Sequence, residues 1–162
     1  MINQEPPRYT RIGLPDYRHV PGRTPHPTRD PLGHSFGREP GSLPDLNAVD
    51  WHLCREYLFG VDLFNNDYWW ECHEVFEGLW HAAGHATIAG HVLQAVIQCA
   101  AAHLKAEADS MAAAARLFEH SLGHFNWAGP SALGLNLEAL VRDTRAFITL
   151  QAARPARLFL QF

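Results

Sequence analysis

After residue 44, apolar residues recur three and four positions apart through most of the chain. This spacing brings them to one face of a helix, so the repeat marks a buried stripe. The pattern predicts five helices, over about residues 45–65, 68–83, 87–108, 110–125 and 136–150. No segment alternates apolar and polar residues strongly enough to predict a strand. Short connections between the helices predict an all-α fold, an antiparallel helical bundle.

Polar residues and glycines mark the ends of the first two helices. Asp45 and Asp67 are placed to cap their N-termini, because a short carboxylate accepts hydrogen bonds from free backbone N–H groups. Asn65-Asn66 and Gly84 predict where the two helices end. Val49 and Leu53 are expected in the core of the first helix. The core stripe expected for the second helix is Trp69, Cys72, Phe76, Leu79 and Ala83.

Residues 1–44 have a different character from the rest and hold most of the chain's 11 prolines. Proline fixes φ and lacks a backbone donor, so regular helix or strand is not expected there. Tyr9, Tyr17 and Phe36 distinguish this segment from a disordered linker, which lacks aromatic residues. We therefore predict an extended Pro/Gly/His-rich arm, residues 1–44, packed on a helical bundle domain, residues 45–162.

Charge and composition narrow the class of protein. The net charge of −4 and the absence of clustered lysine or arginine argue against nucleic acid and anionic membranes as partners. No apolar run reaches the roughly 20 residues of a membrane span, and the first residues do not form a signal peptide. Cys54, Cys72 and Cys99 lie far apart in apolar runs, as reduced buried thiols do. The sequence predicts a cytoplasmic protein.

The helix around YWWECHEVFEGLW carries the chain's most distinctive chemistry. His73, Glu77 and Trp80 share one line at the edge of the apolar stripe. An imidazole and a carboxylate at this spacing can hold one divalent cation, or Glu77 can orient His73 as a general base. Alternatively, the pair is a buried structural network beneath Trp80. Neither HExxH nor a pair of ExxH motifs is present, so the zinc-protease and di-iron patterns are not matched.

Polar residues of the third helix extend this site. His91, Gln94 and Gln98 lie on one face of an alanine-rich helix, and buried glutamines need hydrogen-bond partners. Either they form a polar network that fixes helix register, or they help to line a pocket. The predicted ligand pocket consists of His73, Glu74, Glu77, Trp80, Gln94 and Gln98.

Two histidines of the arm are candidates for the same site. His26 and His34 flank PTRDPLG in a proline-rich stretch that should hold a fixed shape. We predict that the arm folds across the bundle and brings His26 or His34 toward His73 and Glu77 as metal ligands. In the alternative, these histidines only pack on the surface. The GHSFG segment lacks the preceding strand of a nucleophile elbow.

The sequence around the motif resembles a family of small helical proteins, the domain of unknown function (DUF) family 309. DLFNNDYWWECHEVFEGLW contains the family's His-x3-Glu-x2-Trp pattern, and VLQAVIQCAAAHLK is similar to its next helix. The resemblance covers roughly residues 55–125 and departs at Trp69-Trp70 and Cys72, where Tyr-Phe and Ala are usual. It implies a small helical bundle but no reaction, because the family's biochemical role is not established.

Two classes of function stay open at this point. The first is a metal- or small-ligand-binding protein, with hydrolysis as one reaction and a divalent metal as the cofactor; whether it is an enzyme is left undecided. The second is a non-enzymatic interaction or structural module, since a helix pair with aromatic-small-aromatic spacing resembles one tetratricopeptide hairpin. Alanine-rich third and fourth helices predict close helix packing and a homodimer.

Overall fold

A computed structural model describes residues 5–162 and confirms the predicted all-α bundle. A short 3-10 helix (Trp51–Leu53) precedes the five α-helices. They are α1 (Arg55–Asn65), α2 (Trp69–Ala83), α3 (Ile88–Glu107), α4 (Met111–Ala128) and α5 (Leu137–Ile148). Each helix packs against the next, and α5 also contacts α3. None of the helices in residues 5–162 is long and apolar enough to cross a bilayer.

The core lies between α1, α2 and α3. All five residues of the stripe predicted for α2 are at most 5% exposed. Gly60 of α1 allows close approach to α2, because a Cβ at this position would overlap the Phe76 ring. Burying each large apolar side chain stabilises the fold by about 1.5–3 kcal/mol. The three cysteines are buried free thiols, as predicted. Burial raises the pKa of Cys99 to about 12, so this thiol stays protonated.

The sequence predicts that the first helix begins at about residue 45, whereas α1 begins ten residues later, at Arg55. Residues 45–49 form a turn, and Cys54 then adopts an extended backbone (φ −81°, ψ 99°) that separates the 3-10 helix from α1. Val49 and Leu53 are 41% and 76% exposed, so their predicted core positions are wrong. Asp45 accepts a hydrogen bond from the Asn47 N–H and stabilises the turn rather than a helix.

The predicted capping role of Asp67 is also wrong. Asp67 has a positive φ of 66°, and α2 begins after Tyr68. The Asp67 carboxylate accepts a hydrogen bond from Arg157 at 2.8 Å, and this contact replaces a cap. Thr87 and Asn136 do cap α3 and α5, because their side chains accept hydrogen bonds from backbone N–H groups of the first turn.

A small hairpin lies between α4 and α5, where the sequence predicts no strand. β1 (Ser131–Ala132) and β2 (Leu135–Asn136) pair antiparallel. The two connecting residues, Leu133 and Gly134, both have positive φ (49° and 75°), which a two-residue hairpin turn requires. Strands of two residues are too short to produce a visible alternation.

The described part of the arm, from residue 5 onward, packs along the helices. Asp62 of α1 is fully buried and accepts hydrogen bonds from the backbone N–H groups of Tyr9 (2.7 Å) and Thr10 (2.9 Å). Arg18 donates two hydrogen bonds to Glu107 of α3 (2.7 and 3.1 Å). The division into an arm and a bundle domain at residue 44 stays a prediction, and residues 1–4 lie outside the described part.

Candidate functional site

Three side chains meet on the solvent side of α2. His73 Nδ1 lies 3.3 Å from Glu74 Oε1, and His73 Nε2 lies 3.8 Å from Glu77 Oε2. One possible ligand atom from each residue lies within 4.8 Å of the other two. Among residues 5–162, no other group of three His, Cys, Asp or Glu residues converges in this way. We call His73, Glu74 and Glu77 the α2 cluster.

The carboxylates of the cluster change the acidity of its imidazole. The pKa of His73 is raised above its usual 6.5, first because Glu74 forms a hydrogen bond with the ring and then because Glu77 adds negative charge. Partial burial opposes both effects. The protonated ring is therefore the form that the cluster favours when no other cation is present.

The cluster is open to solvent. The side chains of His73, Glu74 and Glu77 are 34%, 47% and 42% exposed. Trp80 does not seal them from above, because its indole stacks on His85 with ring centroids 3.6 Å apart. The structural alternative for this pair, a buried network beneath Trp80, therefore does not match the observed positions.

The glutamines of α3 do not join the α2 cluster. In the part of the chain that the structure describes, no hydrogen bond connects Gln94 or Gln98 with the cluster, and Gln98 Oε1 is buried without a partner. His91, on the same face of α3, lies with its Nδ1 2.9 Å from Nδ1 of His124 on α4. This face of α3 is consequently turned toward α4.

The arm reaches α2 at a different place from the one predicted. His34 Nε2 lies 2.9 Å from Glu71 Oε1, and both side chains are only 5% exposed. His26 packs edge-on against Trp70, with ring centroids 5.3 Å apart. Residues two apart on a helix project in nearly opposite directions, so a side chain that contacts Glu71 lies on the other side of the helix from His73. Neither His26 nor His34 is part of the α2 cluster.

Glu71 is a buried carboxylate that was not among the residues predicted from the sequence. Its Oε1 accepts hydrogen bonds from the backbone N–H of His19 (2.7 Å) and from His34. Both partners come from the arm, and no local pattern predicts such distant contacts. One sequence feature could have indicated its burial. Glu71 shares a helix face with Val75 and Gly78, and small or apolar residues on a face suggest that another segment covers it. The arm covers it, since a Cβ on Gly78 would overlap a side chain of the arm.

Comparison with known families agrees with the resemblance in the sequence. Residues 57–117 match the family described as domain of unknown function DUF309. The matched region covers α1, α2 and α3 and the beginning of α4, and it includes the α2 cluster and Trp80. No curated protein matches the chain.

Proposed function

We propose that this chain, whose residues 57–117 match the DUF309 family, binds a divalent metal ion at His73, Glu74 and Glu77. The family description names no activity, so the proposal rests on geometry. The observation that carries it is the convergence of one imidazole nitrogen and two carboxylate oxygens within 4.8 Å.

The spacing of the α2 cluster suits a metal ion. Ligand atoms about 2.1 Å from a tetrahedral ion lie about 3.4 Å from one another. One possible ligand atom from each residue lies within 4.8 Å of the other two. The separations of 3.3 Å to Glu74 and 3.8 Å to Glu77 start from opposite nitrogens of the His73 ring, so only one of them can describe a single ion. Binding of one ion by all three residues would therefore require the His73 ring and both carboxylates to rotate toward a common point.

The donor set indicates the kind of ion and the chemistry it would support. One imidazole and two carboxylates suit zinc, manganese or iron(II) better than copper(I), which prefers sulfur ligands. Three protein ligands on an exposed face leave room for water at the remaining positions, as in catalytic metal sites. A metal ion lowers the pKa of a bound water, so hydrolysis is the reaction that this site would support best.

The exposure of the cluster favours metal binding over a purely structural role. A polar network that only satisfies itself is expected to be buried and fully hydrogen-bonded. His73 and Glu77 are more than a third exposed, and their 3.8 Å separation is too long for a hydrogen bond. A bound cation would draw the two side chains together and satisfy both.

Metal analysis of protein purified without a histidine tag tests the proposal. We expect one zinc, manganese or iron ion per chain by mass spectrometry, and the loss of that ion in both His73→Ala and Glu77→Gln. His120→Ala is the matched control, because it removes an exposed histidine of α4. Circular dichroism would confirm that all variants are folded. Substoichiometric metal that is unchanged by His73→Ala would reject the proposal.

A further inference from the structure

A cavity lies beneath the arm, next to the α2 cluster, and shares Glu74 with it. It has a volume of about 180 Å³ and is lined by arm residues, by α1 and by α2. We call it the arm pocket. Its volume is below the roughly 300 Å³ of a pocket for a drug-sized molecule, so any ligand must be small.

Part of the wall of the arm pocket is formed by Glu71, whose carboxylate has one oxygen without a hydrogen-bond donor among the described residues. Glu71 lines the pocket, and its side chain is 5% exposed. Its Oε1 has two partners on the arm, whereas its Oε2 is buried with none within the described residues. Buried carboxylate oxygens are nearly always paired, and leaving one unpaired costs free energy. This atom marks a position where a donor is missing.

The other walls of the pocket suit a cation with an apolar tail. Glu74 supplies a second carboxylate, and among the described residues no lysine or arginine lines the cavity. Trp70 supplies an aromatic ring, to which cations are attracted. Phe59 and Val75 supply apolar surface. A neutral apolar molecule would leave the Glu71 oxygen unpaired, and an anion would be repelled by both carboxylates.

We propose that the arm pocket binds a small organic cation, a primary alkylammonium or alkylguanidinium. Its charged head would donate hydrogen bonds to Glu74 and, once a side-chain rotation opens Glu71 Oε2 to the cavity, to that oxygen as well. Its alkyl chain would lie against Phe59 and Val75. The contacts of Glu71 with His19 and His34 hold the arm over the cavity and so keep the site closed on one side. This site shares Glu74 with the metal site proposed at the α2 cluster, so a bound metal would compete for that carboxylate.

Binding of four-carbon probes measured by NMR, with a chelator present to remove metals, tests this proposal. Butylamine and butylguanidine should bind and shift the Trp70 and Glu74 backbone signals. Butanol should bind at least about tenfold more weakly, because the loss of one charge-assisted hydrogen bond lowers affinity by about that factor. Equal binding of butanol, or no binding of either cation, would overturn the proposal.

Two pairs of variants locate the site. Glu71→Gln should abolish binding of the amine, and Glu74→Gln should weaken it by about tenfold. Glu119→Gln, which changes an exposed residue of α4, is the control and should leave binding unchanged. If Glu71→Gln does not fold, Glu74→Gln decides, because Glu74 is 47% exposed and holds no arm residue. His73→Ala should remove metal binding but not amine binding, so the two proposals fail separately. Unchanged amine binding in Glu74→Gln would contradict the assignment.

Discussion

His103 should make the stability of this protein strongly dependent on pH. The ring is fully buried in the core and lies between Trp69 and Phe147, with centroids 5.4 and 5.1 Å away. Its Nδ1 donates to the Cys99 carbonyl at 2.6 Å, and its Nε2 accepts from the Ala156 N–H at 3.2 Å. Both nitrogens are thus satisfied by the neutral ring. Burial lowers the pKa of His103 to about 4.

The size of the effect follows from linkage between protonation and unfolding. In the unfolded chain the ring takes up a proton near its ordinary pKa of 6.5, whereas the folded protein resists protonation until about pH 4. Stability is therefore complete above pH 6.5 and falls as the pH is lowered toward 4. The difference between the two pKa values corresponds to about 3 kcal/mol. About 2 kcal/mol of this should be lost by pH 5.

Urea unfolding between pH 7.5 and 4.5 measures this effect. His103→Gln should be less stable at neutral pH, because it disturbs two buried hydrogen bonds, but its stability should depend less on pH. The difference between wild type and variant should shrink by about 2 kcal/mol from pH 7.5 to pH 5. His120→Gln, an exposed histidine, should follow the wild type at every pH. Parallel profiles for wild type and His103→Gln would refute the reasoning.

Three further predictions concern the bundle, the arm and the cluster. Gly60→Ala should lower the free energy of unfolding by about 1–3 kcal/mol in urea titrations, because the new methyl group overlaps a buried ring of α2. Gly123→Ala, where a Cβ meets open space, should be neutral or slightly stabilising, and equal losses would contradict this account. Asp62→Asn should weaken the charge-assisted hydrogen bonds that hold the arm and expose it to limited proteolysis; an unchanged digestion pattern would contradict their role. Glu74→Gln should lower the pKa of His73 in an NMR titration, because the main hydrogen-bond partner of the ring loses its negative charge, and no change would contradict the assignment.

The helices were predictable from the sequence where burial is decided within one element. The apolar stripe of α2, from Trp69 to Ala83, repeats every three or four residues and is buried as the pattern predicts. Gly84, at a φ of 83°, ends that helix as a residue free to adopt positive φ. The predicted start of the fifth helix at about residue 136 is also correct, since α5 begins at Leu137. In these places local chemistry and tertiary packing favour the same conformation.

The start of α1 and the arm contacts could not be predicted because distant residues determine them. Residues around Asn47 have helical spacing, yet the Asn47 side chain donates to the Ala83 carbonyl at the end of α2, and the segment folds as a turn. The Asp67 carboxylate accepts a hydrogen bond from Arg157, a residue distant in sequence, and therefore does not cap α2. Periodicity describes one helix face and does not reveal which other segment covers it.

The convergence of the α2 cluster was predictable only in part, since His73 and Glu77 were predicted as metal ligands together with His26 and His34, and Glu74 as a pocket residue. Helical spacing alone places His73, Glu74 and Glu77 near one another, and the structure has them converging. The expected additions from α3 and from the arm depend on how elements rotate against each other. In the structure, His34 of the arm contacts Glu71 instead. The arm pocket that lies beside this contact has no signature in the local sequence.

Anomalous diffraction from crystals of the tag-free protein equilibrated with zinc tests the central claim most directly. The account predicts one strong peak about 2.1 Å from a ring nitrogen of His73 and about 2.1 Å from an oxygen each of Glu74 and Glu77. The peak should be absent in His73→Ala crystals. A peak only at the neighbouring pair His81 and His85, whose ring nitrogens are 3.3 Å apart, or no peak at all, would contradict the account.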